Sequence, residues 1–117
     1  MKHNLDDKIR ITHIIEAISD LEMFLKDVDF ETFEKNREKQ SAVERKLEII
    51  GEAANHISEE VLFHPTNSTP WRQITNTRNI IAHEYFRVDL EIIYKIATNN
   101  IIPLKTEIQV ILNDLEK

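Results

Sequence analysis

A chain of 117 residues holding one glycine, Gly51, and three prolines has very few places to make a tight turn. Glycine and proline supply the positive or fixed φ angles on which most turn types depend. That argues against a sandwich or barrel of many short strands and favours long helices with few connections. The same scarcity rules out the Gly-x-Gly-x-x-Gly dinucleotide loop and Walker-type phosphate cradles. The lack of cysteine removes disulfides, thiolate nucleophiles and sulfur-ligated zinc, and is compatible with a reducing compartment. No apolar run approaches the roughly 20 residues of a membrane span, and residues 1–7 lack the apolar segment of a signal peptide. The expectation is one helical domain over residues 1–117, cytoplasmic and without membrane contact.

Apolar periodicity divides that domain into four principal helices. Asn4 is a candidate cap for the first, with Asp6 and Asp7 in its opening turn and a stripe of Ile11, Ile14, Ile15, Ile18, Leu21, Leu25 and Val28. Val43, Leu47, Ile50, Ala54, Ile57 and Val61 alternate steps of four and three, which marks a second helix starting between Phe33 and Ser41 and packing at a shallow angle. Gly51 sits inside that stripe, where it costs about 1 kcal/mol relative to alanine unless a close helix approach compensates. Residues 63–69 read as a loop, after which Thr69 and Pro70 form a cap and first turn for a third helix with the stripe Trp71, Ile74, Arg78, Ile81. Asp89 then caps a last helix whose stripe (Leu90, Ile93, Ala97, Ile101, Leu104, Ile108, Ile111, Leu115) keeps its phase through Pro103, predicting a kinked helix rather than two separate ones. An antiparallel four-helix bundle is the economical arrangement.

Net charge is -6, so the molecule as a whole has little attraction for nucleic acid. Its distribution is uneven: residues 11–35 carry two lysines against seven acids, whereas residues 71–89 carry Arg72, Arg78 and Arg87 against Glu84 and Asp89. Any anion site must be local.

Common catalytic patterns fail one by one. His83-Glu84 opens a His-Glu-x-x-His zinc motif, but Arg87 stands where the second histidine belongs, and no histidine has the Glu-x-x-His spacing of a di-iron bundle. Glu48, Glu52 and His56 align at i, i+4, i+8 and could hold a metal, although a solvated helix face is the better reading. His3, His13, His56 and His64 read as surface or loop histidines with no second functional group nearby. What remains is Arg78, Asn79, His83 and Tyr85. A permanent cation in register with core residues needs a partner, and a titratable imidazole five residues on supplies acid or base chemistry near neutral pH. Metal-free RNA cleavage needs those parts: a base for the 2'-hydroxyl, an acid for the leaving oxygen and positive charge on the phosphorus. Asn79 would orient either group, and Tyr85 would bond the phosphate or stack on a base. On one continuous helix, positions 78 and 83 lie about 140° apart, so either the helix ends near Ala82 or two chains meet at one composite groove. A purely structural alternative has Arg78 neutralise a buried carboxylate, His83 cap a helix end and Tyr85 pack with its hydroxyl bonded. Glu52 lies about 200° from Ile50 and reads as a solvated or interface carboxylate.

Across nearly its whole length the sequence resembles the HEPN-domain proteins, specifically HepT-like toxins paired with MntA-like nucleotidyltransferase antitoxins. The resemblance rests on Arg78-x4-His83-x-Tyr85 with Asn79 after the arginine, on the stretch from Leu47 to Ala54, on Pro70-Trp71 and on Val88-Asp89. It implies an all-helical homodimer whose two motifs line a shared cleft, acting without metal or cofactor as an endoribonuclease on cellular RNA such as tRNA or mRNA. Arg78 and His83 would carry catalysis. It further implies a type VII toxin–antitoxin pair, possible higher assembly of toxin with antitoxin, and AMP transfer to Tyr85 as the off-switch. A related class of small helical bundles resembles non-catalytic substrate- or partner-binding modules of nucleotidyltransferases, and the acidic net charge suits that alternative.

Overall fold

The structure is a computed structural model, and it describes residues 2–62, 71–72, 74–76 and 89–116. Described residues are helical or lie in turns, with no strand among them. The helices are α1 (Lys2–Phe24), α2 (Phe30–Glu34), α3 (Arg37–Asn55), α4 (Glu59–Leu62), α5 (Leu90–Lys95), a π-helical turn at Ile96–Asn100, and α6 (Leu104–Leu115). Residues 71–72 and 74–76 are helical as well. This is the all-α architecture that the composition demands.

The core is one cluster built mainly where α1 lies along α3 and α6. Ile11, Ile14, Ile18 and Leu21 from α1 meet Val43, Leu47 and Ile50 from α3, all fully buried. Gly51 is buried in the same face. That placement fits the close approach its position in the stripe requires, because α3 packs on α1 more extensively than any other pair of elements among the described residues does. With the only glycine occupied there, α1 ends on another residue: Asp27 takes φ 58°, the left-handed conformation that aspartate tolerates better than bulky residues do.

Two boundaries differ from the sequence expectation. α1 starts at Lys2, so Asn4 lies inside the helix rather than capping it. Asp7 is also not an opening-turn acid, because its carboxylate turns inward to residue 58, as described below. In the second stripe, α3 stops at Asn55. Ile57 and Val61 stay buried in phase but belong to the following turn and to α4.

The short helix α2 was not foreseen. Asp29 caps it by accepting a 2.8 Å hydrogen bond from the Thr32 backbone N–H, and those Thr32 contacts hold the Asp29 carboxyl below its ordinary range. Phe33 anchors the helix with no exposed surface, its ring 5.5 Å from that of Tyr94. Tyr94 in turn donates a 2.6 Å hydrogen bond to the Val28 carbonyl. Asp89 caps α5 as expected, accepting from Glu91 N–H at 2.9 Å. In place of the expected single kinked helix, a break at residues 101–103 separates α5 and its π turn from α6, since proline offers no N–H to the preceding turn. It is preceded by the π turn, closed by Ile101 N–H bonding the Ile96 carbonyl.

Candidate functional site

The segment that holds Arg78, Asn79, His83 and Tyr85 lies outside the described residues, as do Thr69, Pro70, Ile81 and His64. The structure describes what brackets it. On one side Trp71 and Ile74, the first two members of the third stripe, are 7% and 2% exposed. On the other, Asp89 caps α5 and Ile93 is fully buried. The described residues on either side of the motif segment are therefore tied into the core by apolar anchors. The Trp71 indole N–H is buried and has no acceptor among the described residues.

A second cluster of chemistry-bearing side chains is well described. Between α1 and α3 runs an open cleft of about 540 Å³. Arg10 and His13 line it from α1, while α3 contributes Arg45, Glu48 and Glu52 with the apolar Ile49 and Ala53 between them. His56, the C-cap of α3, closes one end. Arg10 is fixed there by a 2.9 Å hydrogen bond from Nη1 to the His56 carbonyl. One turn earlier, Asp7 is 1% exposed and accepts from the Ser58 backbone N–H at 3.0 Å and from the Ser58 hydroxyl. Asp7 and Arg10 thus grip the turn between α3 and α4 from residues about 50 positions earlier in the chain.

The α3 wall is negative. Glu52 pairs with His56 at 3.3 Å, and Glu48 with Arg45 at 3.3 Å. Burial pushes the Glu44 carboxyl above its ordinary range, and the Glu48 charge one turn along adds to the shift. An ionised Glu44 is therefore less favourable in the fold than in the unfolded chain, at any pH where it is charged. Glu44→Gln is expected to raise the melting temperature near neutral pH by at most about 2 °C, given partial exposure. The gain should vanish as pH falls to about 3, where Glu44 is protonated in both states. Thermal melts of both proteins at the two pH values check this.

Sequence reasoning treated His13 and His56 as isolated. The structure corrects this: His56 has Glu52 beside it, a pairing the i, i+4 spacing already offered, and His13 shares its cleft with Arg10. What the sequence could not supply was the juxtaposition of α1 with α3. Among the described residues, no three His, Asp or Glu side chains converge in a metal-binding group, and Glu52 and His56 are about half exposed on a helix face.

Comparison with known proteins decides what this scaffold is. A family model described as ribonuclease HepT-like matches residues 14–111. The chain belongs to the HepT-like ribonuclease family.

Two relatives show the extent of the match. A protein of Methanocaldococcus jannaschii named "Putative RNase MJ1380" is 34% identical over 106 residues, covering 91% of this chain and 96% of that one. "Probable ribonuclease HepT" of Thermococcus cleftensis is 39% identical over 93 residues, covering 79% and 83%. No solved structure gives a significant match. The HepT-like match runs from the second half of α1 into α6, so it takes in the α3 wall of the cleft and the whole Arg78–Tyr85 segment. As a HepT-like ribonuclease the protein is an RNA-cleaving enzyme. No helix among the described residues is long and apolar enough to cross a membrane.

Proposed function

We propose that this protein is the toxin of a type VII toxin–antitoxin pair, a metal-independent endoribonuclease that cuts cellular RNA at a site shared by two copies of the chain. The observation that carries this reading is the intact Arg78-x4-His83-x-Tyr85 motif inside a chain matched by the HepT-like ribonuclease family from residue 14 to residue 111. Arg78 neutralises the charge that grows on the phosphorane, and His83 moves protons at the 2'-hydroxyl and the leaving 5'-oxygen. Asn79 orients them. One imidazole cannot be base and acid in the same step, so two copies related by a twofold axis supply one of each. Exposed apolar side chains at Leu5, Ile9 and Met23 on α1 and Val110 on α6 leave surface for a second copy.

Tyr85 is the contact to RNA and the acceptor of AMP from an MntA-like nucleotidyltransferase. Each AMP brings about one negative charge to the place where RNA phosphate binds, which switches the enzyme off by repulsion and by filling space. The test is cleavage of total cellular RNA in EDTA by protein whose intact mass shows no AMP. Cleavage supports the reading. Intact RNA, with the protein folded and unmodified, would overturn it in favour of a nucleotidyltransferase-binding module. Tyr85→Phe should stay active when incubated with the nucleotidyltransferase and ATP, while wild type gains the mass of AMP and loses activity.

A further inference from the structure

The cleft between α1 and α3 has an unusual lining for a surface groove. A simple anion is attracted by Arg10 and Arg45 but repelled by Glu48 and Glu52, and a simple cation meets the reverse. A purely apolar group would cover Ile49 and Ala53 while desolvating the charges on either side. A ligand that satisfies all three surfaces must carry an anion, a flat apolar face and an edge of hydrogen-bond donors. A ribonucleotide has that combination: a phosphate, a base and, in guanine, adjacent N1–H and amino donors that match the two oxygens of one carboxylate.

We propose that this cleft seats one unpaired guanosine nucleotide of the RNA substrate, outside the Arg78–His83 motif. The proposal rests on the ribonuclease reading. Its phosphate lies on Arg10 at the His56 end of the cleft, its base covers Ile49 and Ala53, and Glu48, about two turns back along α3, accepts from the guanine edge. Arg10 is held in place, since Nη1 is fixed on the His56 carbonyl while a guanidinium has further N–H groups to give. Arg45 and Glu48 are joined only by a 3.3 Å pair at the rim, with Arg45 69% exposed, so Glu48 can turn to a ligand at little cost. A protein of net charge -6 gains little from general attraction to RNA, so its hold on a strand must come from built contacts of this kind. Single-stranded RNA is read in this way, by its base edges and faces.

The experiment is an NMR titration of the full chain with 5'-GMP, 5'-UMP and inorganic phosphate, in wild type, Arg45→Gln and Glu48→Gln. All three proteins should melt alike because both side chains are at the rim. GMP should shift Ile49 and Ala53 and bind about tenfold tighter than UMP or phosphate. Glu48→Gln should bring the GMP:UMP ratio close to one, whereas Arg45→Gln, which frees Glu48 from its ion pair, should leave UMP unchanged and bind GMP at least as tightly. In cleavage of a defined RNA, Glu48→Gln should lose a preference for guanosine at a fixed distance from the cut. If GMP binds as expected but the cutting pattern is unchanged, the occupant is a free guanosine nucleotide rather than the strand. Equal affinity for GMP and UMP, no shift at Ile49 and Ala53, or a cleft covered by a second copy of the chain would overturn the proposal. Failure of the ribonuclease reading is separable, because GMP would then bind to a protein that leaves RNA uncut.

Discussion

His83→Ala and Arg78→Ala are each expected to lower RNA cleavage in EDTA by about 10²–10⁴-fold while leaving the melting temperature nearly unchanged. The range follows from what each group supplies. A positioned acid or base contributes about 10²–10⁴ in rate, and one charge-stabilising donor about 10²–10³. Arg78→Lys is a sharper probe, because lysine keeps the charge but loses the planar fork that grips two phosphate oxygens, and it should recover only a small part of the loss. The shared-site model makes a further prediction. Mixing wild type with His83→Ala should give mixed dimers with far less than half the activity of wild type, because each cut needs one imidazole from each copy. A bell-shaped pH–rate profile should accompany it, with one histidine required neutral and the other charged. A profile with a single titration, or full activity in an obligate monomer, would show that one chain does the chemistry alone.

Much of the scaffold was readable because helical periodicity is a local property. The α3 stripe from Val43 to Ala54 and the Asp89 cap follow from residues within a few positions of one another and stand where the pattern puts them, whereas at Pro103 the same phase continues across two helices instead of one. The helix α2 was missed because five residues are too few to show a period; its only signals are the Asp29 cap and the apolar Phe33. The π turn at Ile96–Asn100 leaves the apolar phase intact, with Ala97 and Ile101 both buried, and so has no signature in the stripe. The cleft was invisible for another reason. Arg10 and His13 lie more than thirty positions before Glu48, and only the packing of α1 on α3 makes them neighbours. By contrast, Arg78, Asn79, His83 and Tyr85 stand out in the sequence by chemistry and spacing alone, and their placement lies outside the described residues.

Asp7 shows most clearly how a local reading goes astray, and it carries the largest expected stability effect outside the apolar core. By position it resembles an acid placed to favour a helix N-terminus. Instead it is the one buried charged side chain among the described residues, and both its oxygens accept from Ser58. Ser58 precedes α4, so Asp7 does from α1 what a glutamate three residues along often does within a capping box. Asp7→Ala should destabilise the fold by about 1–3 kcal/mol, because the half-buried Ser58 N–H and hydroxyl lose their acceptor, although removing a desolvated charge recovers part of that loss. Asp7→Asn should cost less, since its carbonyl still accepts from the N–H. The double-mutant cycle with Ser58→Ala isolates the hydroxyl contact and should give a coupling of about 1–2 kcal/mol. Urea unfolding at constant m-value measures wild type and the four variants. Additive losses would mean that the hydroxyl contact contributes nothing and that Asp7 holds the α3–α4 turn through the Ser58 N–H alone.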